Sequence, residues 1–231
     1  MAVSDNVRRV RDEVAETCLR VGRDPGEVRL MAVSKFHEWP SIEKAAAAGI
    51  RLFGESRVQE AARKFMGFRE RCLNAELHLI GSLQRNKVKA AVGLFDCIES
   101  LDRVELVLEL GRITRDRGTN PLPVLFELNA GEESKSGFRD EDALCAGVEA
   151  AQGFSGLLPS GLMTMAPFTV EEKPVREAFR KLVKMQARLR LTFPEYGWDC
   201  LSMGMSGDFK IAIEEGSTLV RIGTAIFGDR Q

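Results

Sequence analysis

The chain has 231 residues, 44% of them hydrophobic and 29% charged, with 33 basic side chains against 34 acidic ones. That balance describes a folded globular protein and excludes a disordered one, and a net charge of -1 supplies no general field to attract nucleic acid or an anionic membrane. The length suits one α/β barrel or two small domains, and a chain of this size buries a core without disulfide or metal staples.

The first predicted element is a helix capped by Ser4 or Asp5, with Val7, Val10, Val14 and Leu19 on one face and a stop near Gly22 and Pro25. Residues 28–34 form a short, β-branched strand, and residues 42–48 form a helix ended by Gly49. A strand over 51–55 leads into a charged helix over 56–71, whose stretch from Arg63 to Cys72 reads as a solvated face. A strand over 76–81 precedes a basic helix around 87–91, and a strand over 95–98 precedes an amphipathic helix over 102–117. Strand five covers 123–129, with a helix from about Asp140, and strand six covers 159–165. Phe179, Leu182, Val183, Gln186 and Leu189 mark a helix over 171–191 by their three- and four-residue spacing. Strands over 200–203 and 219–222 flank a short helix over 210–215.

Eight strands alternating with helices imply parallel β/α units. With no composition break or linker between them, the predicted fold is one (β/α)8 TIM barrel spanning residues 1–231, with an extra N-terminal helix; an open doubly wound sheet is the competing topology. Cys18, Cys72, Cys97, Cys145 and Cys200 are odd in number, widely spaced and without a Cys-x-x-Cys pair. This argues against a disulfide framework or a zinc site and for small core residues in a reducing compartment. The opening residues lack the apolar stretch of a signal peptide, and no apolar run reaches the length of a membrane span, so a cytoplasmic location is expected.

Lys35 follows the first strand directly. In α/β barrels the C-terminal strand ends face the active-site mouth, and a lysine there, walled by apolar groups, can lose its proton and attack a carbonyl. The alternative is a solvated lysine that merely marks a strand end. Two later segments are suited to an anion. Ser202-Met203-Gly204-Met205-Ser206-Gly207-Asp208 follows strand seven, with Gly204 and Gly207 allowing tight turns and Ser206 offering a hydroxyl. Gly223 and Thr224 follow strand eight. Loops after strands seven and eight are the recurrent phosphate site of such barrels, and free N–H groups at helix starts favour phosphate. Arg221, inside an apolar strand near the mouth, needs a partner: a carboxylate such as Glu127 or Glu55, or a ligand atom. The basic cluster over residues 84–89 reads as an exposed helix start rather than an anion site.

Ala32-Val33-Ser34-Lys35, Phe53-Gly54-Glu55, His78-Leu79-Ile80-Gly81, Ser134-Lys135-Ser136-Gly137, Leu201-Ser202-Met203-Gly204-Met205-Ser206 and Arg221-Ile222-Gly223-Thr224-Ala225-Ile226-Phe227-Gly228 resemble motifs of the pyridoxal phosphate homeostasis proteins, over nearly the whole chain. The resemblance implies a barrel like the N-terminal domain of fold-type III alanine racemases. It implies that Lys35 carries pyridoxal 5′-phosphate as an internal aldimine, with the phosphate held by Ser206, Gly223 and Thr224 and with Arg221 facing the pyridine nitrogen. Met203 and Ser56 complete the implied cofactor contacts. Ser56 departs from the asparagine common in the family, and its shorter side chain puts that contact in doubt. Family members are regarded as regulators or carriers of the cofactor in vitamin B6 balance. The implied partners are therefore pyridoxal phosphate and the apo-enzymes that use it, and the implied state is a monomer or weak homodimer.

Racemisation needs acid/base groups on both faces of the substrate carbon. Lys35 could serve one face. In the alanine racemases the other group is a tyrosine from a second domain, whereas this sequence ends just after strand eight and its single tyrosine, Tyr196, precedes strand seven. His37 reads as a loop histidine and His78 as a satisfied core residue. A cofactor carrier is the expected function; a racemase- or decarboxylase-like enzyme and a cofactor-free aldolase using Lys35 are the alternatives.

Overall fold

Eight parallel strands close on themselves in chain order, with β1 pairing to both β2 and β8. The computed structural model describes residues 2–67, 75–115, 120–130 and 136–228. The first four strands are β1 (Arg29–Val33), β2 (Leu52–Glu55), β3 (Glu76–Leu79) and β4 (Cys97–Leu101). The second four are β5 (Leu122–Glu127), β6 (Leu157–Met163), β7 (Cys200–Ser202) and β8 (Leu219–Ile222). The ladder between β1 and β8, in which Arg29 to Ala32 face Leu219 to Ile222, closes the barrel and rules out the open sheet.

Among the described residues the helices begin with α1 (Val3–Arg20), α2 (Trp39–Ala47), α3 (Val58–Lys64) and α4 (Val88–Leu94). They continue with α5 (Val104–Thr114), α6 (Glu141–Gln152), α7 (Glu172–Thr192), α8 (Phe209–Glu214) and α9 (Thr224–Phe227). The charged helix predicted over 56–71 is described as α3, and residues 68–74 lie outside the described set. Strand β4 starts two residues later than predicted, and β6 is shifted two residues earlier.

Strand side chains alternate between the lumen and the layer under the helices. Met31, Val33, Leu52 and Leu219 pack inside the barrel. Ala32, Phe53, Val220 and Ile222 join the larger core shared with the helices. Gly54 has no side chain because a Cβ there would run into the Met31 sulfur.

Helix α1 buries Val7, Val10 and Val14 as predicted, but Leu19 is 68% exposed and Cys18 takes its place. A step of four from Val14 returns to the same helix face; a step of five does not. The helix starts two or three residues earlier than expected, at an Ala2 N-cap without a side-chain bond, so Ser4 and Asp5 lie inside its first turn. Asn6 Nδ2 donates to Ile226 O at 2.9 Å and Arg9 to Ala225 O at 2.9 Å, tying α1 to the segment after β8. No described helix is long and apolar enough to cross a membrane.

Candidate functional site at the barrel mouth

Because all strands are parallel, the segments that follow them share one end of the barrel. Lys35 lies two residues past β1, Ser56 directly after β2, Met203 directly after β7, Ser206 three residues further, and Gly223 and Thr224 directly after β8. In barrel order these are four consecutive strands, β7-β8-β1-β2. The segments also touch. A Cβ placed on Gly223 would lie 3.5 Å from Val33 O, and Ala225 N–H donates to Ser206 Oγ at 3.3 Å. His37 stacks on Phe227 with ring centroids 4.8 Å apart, joining the turn after β1 to that after β8. Lys35, Ser56 and Ser206 are half-buried and Thr224 is exposed.

The conformation of the β7 segment depends on Gly204, whose φ is +96° and whose added Cβ would lie 2.6 Å from Ala212 Cβ. Gly207, by contrast, has open space around it and needs no glycine on these grounds. Met203 is fully buried in the core shared with the helices, so its side chain is turned away from the lumen.

Arg221 is buried in the lumen. Of the two partners the sequence left open, a carboxylate is not what holds it: Glu127 pairs with Ser136 Oγ, and Glu55 with Lys64. Instead Arg221 Nη1 donates to Ser202 O at 2.6 Å and to Ser202 Oγ at 2.7 Å, while Nη2 donates to Thr164 O at 2.8 Å. Three of the five guanidinium donors are thus satisfied by neutral oxygens at the ends of β6 and β7.

A chain of polar contacts runs below it. Ser202 Oγ donates to Glu99 Oε2 at 2.5 Å, Glu99 Oε1 meets His78 Nδ1 at 2.7 Å, and His78 Nε2 meets Glu76 Oε2 at 3.2 Å. Glu76 accepts from Arg29 at 2.8 Å at the barrel floor. Burial disfavours the His78 imidazolium, but its hydrogen bonds to Glu76 and Glu99 outweigh it and leave its pKa raised. Burial likewise disfavours the Glu99 carboxylate, yet His78, Arg221 and Ser202 together hold its pKa low. Glu76, bonded to His78 and then Arg29, is lowered to about 2. His78 is therefore the satisfied core residue the sequence suggested.

A second buried polar cluster sits outside the strands, under α3. Lys64 Nζ is 2.7 Å from Glu55 Oε1 and 2.9 Å from Glu60 Oε1, and it donates to Ser34 O at 2.8 Å. Ser34 Oγ donates to Glu55 Oε1 at 2.6 Å. Lys64 and Glu55 side chains are 1% and 0% exposed. Lys64 therefore corrects the reading of residues 63–72 as a solvated face. It lies three residues after Ala61 and six after Val58, on the buried side of α3, and that spacing was the available signal. Glu99 and Glu60 were also missed, Glu99 because the predicted strand stopped at Ile98.

Phe36, next to Lys35, has φ +68° and is the only non-glycine in the left-handed region among the described residues. That conformation costs on the order of 1–2 kcal/mol for a residue with a Cβ. Its N–H donates to Glu60 Oε1 at 2.6 Å. Tyr196 packs edge-on against Trp198 ahead of β7, away from the mouth. Of the Ser134-Lys135-Ser136-Gly137 motif, Ser134 and Lys135 lie outside the described residues.

The alanine racemase N-terminal domain model matches residues 2–231. A pyridoxal phosphate homeostasis protein of Haemophilus influenzae is 37% identical over 233 residues, covering 100% of this chain and 97% of that protein. The chain belongs to the pyridoxal phosphate homeostasis protein family. The Pseudomonas aeruginosa member is 39% identical over 229 residues, covering 99% and 96%. PipY of Synechococcus elongatus, solved with PLP bound, superposes with a TM-score of 0.82 at 34% identity, covering 95% of this chain and 100% of that one. Alanine racemase from Bacillus anthracis superposes with a TM-score of 0.73 at 18% identity and is covered over 56% of its length; this likeness shows the barrel fold alone.

Proposed function

We propose that this protein binds pyridoxal 5′-phosphate covalently on Lys35 and acts in the cytoplasm as a carrier or regulator of the cofactor, with the whole chain, 1–231, as one binding domain. The observation that supports it most is the convergence of an amine, a hydroxyl-and-amide cradle and a buried guanidinium on four consecutive strands, in a family whose member PipY was solved with the same cofactor.

The residues suit the group. Ser206, Gly223 and Thr224 would hold the phosphate where the β7 and β8 segments meet, Arg221 would offer an N–H to the ring nitrogen, and Ser56 and the main chain at Met203 border the site. When bound, the cofactor supplies an aldehyde that condenses with an amine: a C=N bond forms to Lys35 Nζ and the aldehyde oxygen leaves as water. Arg221 stays protonated and can only donate. It therefore disfavours a proton on the ring nitrogen and weakens the ring as an electron sink, which suits holding over turnover.

Pyridoxal phosphate added to the purified protein should produce a visible absorbance band, and borohydride should then leave pyridoxyl mass on the peptide containing Lys35. Lys35→Ala should abolish both. Mass on another lysine would overturn the assignment, and steady turnover of any amino acid would replace the carrier with an enzyme of the racemase or decarboxylase type.

A further inference from the structure

Lys35 sits between two main-chain anchors that lead to the same helix. On one side, Ser34 O accepts from Lys64 Nζ at 2.8 Å; on the other, Phe36 N–H donates to Glu60 Oε1 at 2.6 Å. Lys64 and Glu60 are themselves paired at 2.9 Å, one turn apart on α3. The ring of Phe36 is about half exposed, so core packing does not require a large residue in a left-handed conformation there. Strain of this kind persists only where surrounding contacts over-determine it, and it gathers at functional turns.

We infer that Glu60, oriented by Lys64, is a positioning residue for Lys35: its carboxylate fixes the left-handed turn at Phe36 that presents the Lys35 amine to the barrel mouth. The Ser34 anchor sets where the strand ends, and the Phe36 anchor sets the direction in which the chain leaves it. His37 continues that turn and stacks on Phe227, so the same geometry sets how Lys35 approaches the Gly223-Thr224 segment. Without Glu60 the turn relaxes toward negative φ, and only the minor left-handed population keeps the amine aimed. Capture then slows by that fraction, while phosphate and ring contacts from β7 and β8 persist. The inference rests on the covalent reading proposed above.

The test uses the full chain and two probes. Pyridoxal phosphate reports the rate of covalent capture through its absorbance, and pyridoxine 5′-phosphate, which has an alcohol in place of the aldehyde, reports the affinity of the cradle alone. Glu60→Ala should slow capture by about tenfold, the population factor of a disfavoured left-handed residue, with pyridoxine phosphate affinity within about twofold. Glu60→Gln keeps an acceptor oxygen and should capture nearly as the wild type does. Adding Phe36→Gly to Glu60→Ala should restore most of the rate, because glycine adopts positive φ freely. If Glu60→Ala does not fold, Phe36→Val gives the same test from the surface, since a β-branched residue resists positive φ and leaves the ion cluster intact. Capture at the wild-type rate in Glu60→Ala or Phe36→Val overturns the inference. So does an equal loss of capture and pyridoxine phosphate affinity that glycine does not restore. Absence of capture by the wild type, or capture that survives Lys35→Ala, overturns the covalent reading itself.

Discussion

Two polar clusters, one under α3 and one running down the lumen, differ in what surrounds the charge. Under α3, Lys64 is packed between two carboxylates, Glu55 and Glu60, and Glu55 Oε2 is buried with no hydrogen-bond partner among the described residues. In the lumen, charges alternate in sign along a line, Arg29, Glu76, His78, Glu99 and Arg221, with Ser202 between the last two. The first cluster has one cation for two anions and one unsatisfied oxygen; burial accordingly pushes the Glu55 carboxyl above its usual range. In the second, Glu76, His78 and Glu99 each have a partner on both sides, and Glu99 stays ionised despite full burial. Removing a member should therefore hurt the outer cluster in stability and the inner one in alignment.

The sharpest way to break that contrast is to take away the single outer cation. Lys64→Met leaves two facing carboxylates without a counter-charge and should destabilise the fold by about 3–5 kcal/mol, the penalty for an uncompensated buried charge. Adding Glu55→Gln should recover part of that loss by removing one stranded charge. Urea unfolding of the wild type and both variants checks it. A Lys64→Met protein within about 0.5 kcal/mol of the wild type would mean that the outer cluster is hydrated in solution.

The sequence carried the outer cluster and the lumen unequally. The barrel was legible because each β/α unit announces itself locally: residues 28–34 before Lys35 and Leu219 to Ile222 before Gly223 are short apolar runs followed by turn chemistry. The grouping of Lys35, Ser206, Gly223 and Thr224 followed from that order alone, since parallel strands put their C-terminal ends together. Lys64 was legible in principle, by helical spacing from Val58 and Ala61, but the high charge of its neighbours hid it. The lumen line was not legible. Ser202 and Glu99 are 103 residues apart, and their contact exists only because the closed barrel lets β4 and β7, three strands apart, meet across the lumen. The protein oxygens that hold Arg221 were hidden for the same reason. The oxygens it found are carbonyls and a hydroxyl at neighbouring strand ends, which no residue type advertises.

Glu99→Gln is the corresponding cut in the lumen. Ser202 and His78 bond to different carboxylate oxygens, so the NH2 of the amide replaces one acceptor and faces a buried donor, at about 1–3 kcal/mol. The larger consequence should appear in alignment. Ser202 is released from below, its grip on Arg221 Nη1 loosens, and the visible band of bound pyridoxal phosphate should shift while pyridoxyl mass still maps to Lys35. An unshifted band in a measurably less stable protein would separate Glu99 from the orientation of Arg221.

The smallest effect is a change with pH, and its sign follows from His78. Its pKa is raised in the fold, because the bonds to Glu76 and Glu99 outweigh burial. Its contribution to stability is thus complete below the unfolded value of about 6.5 and fades as pH climbs through the higher folded value. The gap in Tm between the wild type and His78→Gln should therefore narrow from pH 6 to pH 9. In that window Glu76 and Glu99 are ionised both folded, where their values are lowered, and unfolded, so neither contributes a slope. His37 titrates nearby with the opposite sign, since burial and then Lys64 lower its pKa, but it is present in both proteins and cancels in the difference. A gap that stays constant across the window would show that the imidazole carries no charge in the fold, and the lumen line would then hold a neutral His78 between two ionised carboxylates, Glu76 and Glu99.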